Sequence, residues 1–175
     1  MKIRIPGFKK TGLVVGTLIL SATSFAQQSQ LSLFDLKDVK LHKSLFEEAM
    51  FTDLDYIMQM DPDRLLAPFL REAGLEPKAE SYPNWENTGL DGHIGGHYLT
   101  ALAQMYASAG SEEALERLNY MIAELKKAQD ANGNGYVGGI PESDRIWKEI
   151  SEGKIIAGGF SLNGGWVPLY NIHKT

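Results

Sequence analysis

Two apolar stretches in the middle of the chain, separated by only two residues, constrain its fold more than any other feature. From about Ile94 to Ala109, Ala, Leu and Met recur at helical spacing, and Gly110-Ser111 interrupts them. A second run opens at Ser111-Glu112-Glu113-Ala114 and reaches Gln129, with Leu115, Leu118, Ile122 and Leu125 predicted to face inward. Helices joined that tightly must be antiparallel neighbours, an αα-hairpin.

Upstream, Leu45, Phe46, Ala49, Met50, Leu54, Ile57 and Met58 recur at three and four, predicting a helix within His42 to Met60. Asp61-Pro62-Asp63 closes it and caps a second, short helix through Leu65, Leu66, Phe69 and Leu70, ending at Gly74. Residues 31–41 alternate apolar and polar side chains, predicting a short strand or an extended lead-in. Residues 76–92, with Pro77, Pro83, Asn84, Asn87, Gly89 and Gly92, form a loop of the length that usually has a function. A short polar helix is predicted around Glu142 to Glu152. Fourteen of the fifteen glycines beyond residue 26 fall between 89 and 165, so a helical scaffold carries long, backbone-permissive loops. Residues 166–175 read as a helix start with nothing to end it, so the chain is expected to be a truncated part of a longer domain.

The first 26 residues read as an export signal. Lys2, Arg4, Lys9 and Lys10 form a basic start, Leu13 to Leu20 an apolar run, and Ser24-Phe25-Ala26 a small-x-small cleavage site. Cleavage leaves 149 residues with 13 basic against 22 acidic, a net charge of −9. The expectation is a periplasmic or extracellular protein with no membrane association after cleavage. Its acidity disfavours anionic lipid surfaces and nucleic acid, whose phosphates need clustered Lys and Arg. No cysteine is present, which removes disulfides, thiolate metal sites and a cysteine nucleophile from these residues.

The residues able to carry chemistry are few. His93 and His97, spaced i, i+4 among Gly92, Gly95 and Gly96, present both imidazoles on one helix face. That pair suits ligand binding, ordinary hydrogen-bonded core packing, or a metal, although no Glu follows His93 as in zinc proteases. Asp130, Asn132 and Asn134 before Gly135 match half of a calcium loop, but Pro141 stands where the bidentate acid belongs, which favours a structural turn. Trp85, Trp166, Tyr82, Tyr136 and Tyr170 lie in polar loops, where they either stack on sugar rings or plug the loops onto the scaffold.

Three segments in order, Gly89-Leu90-Asp91-Gly92-His93-Ile94-Gly95-Gly96-His97-Tyr98-Leu99-Thr100-Ala101-Leu102-Ala103, then Asn132-Gly133-Asn134-Gly135-Tyr136-Val137-Gly138-Gly139-Ile140-Pro141, then Trp166-Val167-Pro168-Leu169-Tyr170-Asn171-Ile172-His173-Lys174, resemble the N-terminal part of the glycoside hydrolase family 127/146 group. These are β-L-arabinofuranosidases and their relatives. The resemblance implies an all-α fold, with residues 27–175 as the first part of an (α/α)6 barrel. It also implies a terminal β-L-arabinofuranose, or similar pentose, on plant-type oligosaccharides or polysaccharides as the partner. The full-length family enzyme is implied to use a zinc-held cysteine thiolate and a glutamate acid/base. None of that zinc machinery falls in this chain, so no catalytic residue and no cofactor is assigned to it, and the fragment is expected to be inactive. What the resemblance carries over is a sugar-facing wall: His173, matching a family histidine that hydrogen-bonds sugar hydroxyls, with Asp91, His93 and His97 in another part of the pocket. Trp166 joins them as a stacking candidate. The competing reading is a non-catalytic carbohydrate-binding or structural helical protein.

Overall fold

The computed structural model describes residues 32–175, and the predicted export signal over 1–26 lies outside the described residues. Six helices, α1 (Leu45–Met58), α2 (Pro62–Glu72), α3 (His93–Ala109), α4 (Glu112–Asn132), α5 (Ser143–Ser151) and α6 (Pro168–Ile172), account for most of them. The only strands among the described residues are β1 (Ser161–Leu162) and β2 (Gly165–Trp166), an antiparallel pair with Ser161 opposite Trp166. The described residues are all-α, as expected for part of an α/α barrel.

The helix ends follow from local chemistry. Ser44 Oγ accepts the Glu47 N–H at the start of α1, Asp61 Oδ1 accepts the Asp63 N–H at the start of α2, and Ser111 Oγ accepts the Ala114 N–H at the start of α4. Gly110 ends α3 at φ 71° and Gly133 ends α4 at φ 69°, left-handed positions that glycine adopts without a steric penalty. No basic side chain lies in the last turn of α1. Arg117 of α4 reaches across instead and donates to the Met58 and Met60 carbonyls at 2.7 and 3.0 Å, while Tyr98 Oη donates to the Ile57 carbonyl at 2.9 Å.

The core lies where α2 meets the α3–α4 hairpin. Leu65, Leu66, Phe69 and Leu70 of α2 pack with Tyr98 and Leu102 of α3 and with Ala114, Met121, Leu125 and Ala128 of α4. Ile57 adds the end of α1. Ile122, predicted to face inward, is 51% exposed: α4 turns the Ala114–Met121–Leu125–Ala128 stripe toward α2, leaving Ile122 off the buried face. The lead-in before α1 makes one 3-10 turn, Leu36–Asp38, and no strand, since its alternation meets no second strand to pair with. The half calcium loop is a turn tied by its own amides: Asn132 Nδ2 donates to the Tyr136 carbonyl and Asn134 Oδ1 accepts the Tyr136 N–H, both at 2.9 Å. Asp130 pairs with Lys126. Among the described residues no helix is long and apolar enough to cross a membrane.

Candidate functional site

The site is built around the start of α3. Gly95 faces α2, where a Cβ would come within 2.9 Å of the Phe69 ring, and at Gly96 a Cβ would collide with the Lys174 carbonyl. Two elements therefore pack directly on the first turn of α3, one on each side. That turn has no local side-chain cap, because Gly92 occupies the capping position. Glu86, in the 3-10 turn Asn84–Glu86, supplies it from a distance: Oε2 accepts the Gly92 N–H at 3.0 Å and Oε1 the Ile94 N–H at 2.7 Å. Glu86 is only 2% exposed, and burial raises its pKa although both N–H donors favour the carboxylate. The same short turn points Trp85 outward.

His93, the first residue of α3, is 3% exposed, yet neither ring nitrogen has a hydrogen-bond partner among the described residues. Its ring stacks on Tyr170 with centroids 5.3 Å apart and 22° between planes. His97 meets it edge-on at 4.8 Å and Trp85 at 5.8 Å, while His173 lies against the far side of the cluster, 5.4 Å from the Tyr170 ring. Burial, and then the charges of His97, Lys174 and His173, hold the His93 pKa below the ordinary imidazole range. Near neutral pH it is an uncharged ring with one donor and one acceptor to offer.

A cavity of about 350 Å³ opens beside this ring, lined by Trp85, Leu90, His93, Phe160, Trp166, Val167 and Tyr170. Trp166 reaches it from the β1–β2 hairpin, and Val167 then turns the chain into α6 at φ 37°, a strained position for a β-branched residue. Asn163 fixes the hairpin from behind: its Oδ1 accepts the Ile156 N–H at 3.1 Å, and its Nδ2 donates to Glu149 Oε2 and the Lys154 carbonyl, both at 2.8 Å. Apolar ring faces beside a neutral imidazole suit a ligand with C–H faces and hydroxyl edges, which is the chemistry of a sugar.

The profile of the β-L-arabinofuranosidase GH127 catalytic domain matches residues 38–175. The chain belongs to this family. No curated protein matches it. Family membership supports a glycoside hydrolase of the β-L-arabinofuranosidase type.

Within this GH127 domain the expected site residues fall into two groups. His93 and Trp166 line the cavity, and His97 and His173 lie one ring away, both exposed and in contact with His93 and Tyr170 respectively. Asp91 is placed differently. It is 2% exposed and absent from the cavity lining, with Oδ1 3.7 Å from Arg71 Nη2, while its carbonyl accepts the Asn171 side-chain N–H at 2.8 Å. Burial raises the Asp91 pKa, with Arg71 opposing. The Asp91 carbonyl thus ties α6 to the turn before α3, while the side-chain Oδ2 is buried with no hydrogen-bond partner among the described residues.

Sequence reasoning missed Glu86, Asn171 and Phe160. Glu86 had a readable signal: a helix beginning Gly-His-Ile-Gly-Gly brings no side-chain acceptor of its own, so its first N–H groups need one from elsewhere. The residues present do not fit the thiolate-held zinc that the resemblance implies for the full-length enzyme. The chain contains no cysteine, and among the described residues no three His, Asp or Glu side chains converge to hold a metal ion.

Proposed function

We propose that this chain forms the sugar-holding wall of an exported β-L-arabinofuranosidase acting on terminal β-L-arabinofuranose, or a similar pentose, in plant-type glycans. The observation that carries the reading is His93. A buried imidazole with both nitrogens unpartnered, beside a cavity walled by Trp85, Trp166 and Tyr170, is an interaction left for a ligand to complete. In this reading a furanose ring lies against the aromatic faces, His93 exchanges a hydrogen bond with one hydroxyl, and His97 and His173 address others from the rim.

Bond cleavage is assigned to the rest of the domain. The chain offers no thiolate, and of its two most buried carboxylates Glu86 caps the α3 N–H groups, while Asp91 lies beside Arg71 and outside the lining of the His93 cavity. It is therefore proposed to bind without hydrolysing. Export rests on the basic, apolar and small-residue pattern of residues 1–26, and mass spectrometry of the exported protein should find Gln27 at its N-terminus.

Methyl β-L-arabinofuranoside, titrated into the purified chain, should shift the NMR signals of His93, Tyr170 and Trp85 saturably. In the whole enzyme, His173→Ala should lower kcat/KM about tenfold or more while leaving Tm nearly unchanged. The reading fails if the glycoside shifts none of these signals. It also loses His173 if the variant melts early but keeps its activity per folded molecule.

A further inference from the structure

The 350 Å³ cavity beside His93 is not the larger of the two that Trp85 and Trp166 line. A second one, of about 650 Å³, shares both indoles and is walled beyond them by Met60, Tyr82, Asn84 and Thr88. Its volume falls within the range of about 300–1,000 Å³ typical of small-molecule sites. Trp85 is 53% and Trp166 39% exposed, so broad indole surface stands free where the two cavities meet.

The local backbone is shaped to keep it so. Asn84 holds a left-handed φ of 64°, tolerated by Asn better than by most residues, and starts the turn that sends Glu86 inward and Trp85 outward. The Thr88 hydroxyl donates to the Asn84 carbonyl at 2.7 Å and closes that turn. Tyr82 is held by its hydroxyl, which accepts the Asp61 N–H at 2.9 Å, and by Arg64 lying over its ring at 4.0 Å. On the opposite wall, Trp166 packs over Gly89, where a Cβ would sit 3.6 Å from the Trp166 Cβ. The result is a fixed aromatic floor with an exposed amide, Asn84, at its margin.

We infer that this second cavity is a subsite for the next sugar of the glycan, the residue to which the terminal pentose is linked. The inference rests on the His93 cavity holding that terminal sugar. Continuity through a shared Trp85–Trp166 wall is what favours a linked ring over an unrelated small molecule: a disaccharide lying across that wall puts one ring in each cavity. Ring-face stacking on indole with an amide at the margin recognises sugars broadly, so the subsite should accept pentose or hexose and add affinity more than selectivity.

The test compares methyl β-L-arabinofuranoside with a disaccharide bearing β-L-arabinofuranose at its non-reducing end, each titrated into the full chain. The disaccharide should bind about tenfold or more tightly, and it alone should shift the Asn84, Thr88 and Ile94 amide signals. Met60→Trp, which crowds the second cavity from a wall the His93 cavity does not share, should bring the disaccharide down to the affinity of the monosaccharide without weakening the latter. Asn84→Gly, which keeps the left-handed backbone, should weaken only the disaccharide, by about threefold to tenfold. Equal affinities, with the Asn84 and Thr88 amides unmoved, would overturn the subsite and leave the His93 reading intact. Failure of both ligands to bind would overturn both.

Discussion

Glu86 offers the sharpest way to test how the site is held. Removing its carboxylate by Glu86→Ala strands two backbone donors, at Gly92 and Ile94, that it now meets at 3.0 and 2.7 Å. Hydrogen bonds to a charged acceptor contribute about 1.5–3 kcal/mol each, and loss of an ordinary exposed cap costs only about 1 kcal/mol. Part of the loss is returned because a buried carboxylate is no longer desolvated, so the expected net cost is about 2–4 kcal/mol. At roughly 2–4 °C per kcal/mol for a chain of this size, Tm should fall by about 4–16 °C. Amide exchange at Gly92 and Ile94 should accelerate more than at the core of α4.

The pH dependence has a definite sign. Burial outweighs the two N–H donors and raises the Glu86 pKa, so the protonated form is favoured by folding. Its contribution is greatest below the ordinary glutamate range and is lost as pH rises through the folded-state value. Glu86→Gln, which does not titrate, should therefore cost more at about pH 5 than at about pH 7 in urea denaturation. A cost that is larger at pH 7 would refute the dominance of burial over hydrogen bonding in the Glu86 pKa, and a Glu86→Ala penalty below about 1 kcal/mol would refute its role as the distant cap of α3.

Three further outcomes are expected. Gly96→Ala places a methyl group against the Lys174 carbonyl, which should push the C-terminal segment away and cost about 1–3 kcal/mol; loss of the ring-current shift that Tyr170 imposes on His93 would report it, and an unchanged spectrum would argue against the close approach. Asn163→Ala removes three side-chain hydrogen bonds and puts alanine at φ 50°, for an expected loss of about 2–4 kcal/mol in urea denaturation and faster exchange at the Ile156 amide. His93, whose pKa is lowered by burial and neighbouring charge, folds as the neutral ring; its stabilising contribution is present above the ordinary imidazole range and is lost as pH falls below it. Its Hε1 signal should accordingly begin to move only below about pH 6.5.

The helices were legible because their ends are written in local chemistry. Ser44, Asp61-Pro62, Ser111, Gly110 and Gly133 each do at one position what their residue types do anywhere. The burial of α4 was less legible, since Leu115, Leu118, Ile122 and Leu125 form as good a periodic stripe as the one α2 covers, and only the docking of α2 chooses between them. His93 and His97 could be placed on one face from spacing alone. Their convergence with Tyr170 and His173 could not, because it depends on the residues after α6, Lys174 and Thr175, folding back onto Gly96. Asp91, two positions before His93, sits beside Arg71 because the turn before α3, with Gly92 at φ 87°, sends the two side chains in different directions. Glu86 was invisible to a search for local caps because its partners are six and eight residues away.

The bond from the Asn171 side chain to the Asp91 carbonyl joins residues eighty positions apart, whereas α3 and α4 meet across two. Closing so long a loop carries only a modest extra entropic cost, about 0.6 kcal/mol for each doubling of length, but it cannot be completed until the segment carrying Asn171 is present. The hairpin is thus expected to form early and the histidine–tyrosine cluster late. The same asymmetry is expected to show in amide exchange, with the α6 segment opening at lower free energy than the α2–α3–α4 core. A ligand that needs Tyr170 and His93 together binds only the closed population, and by mass action it holds that segment down. The α6 segment, which carries Tyr170, is then the element whose order sugar binding would report.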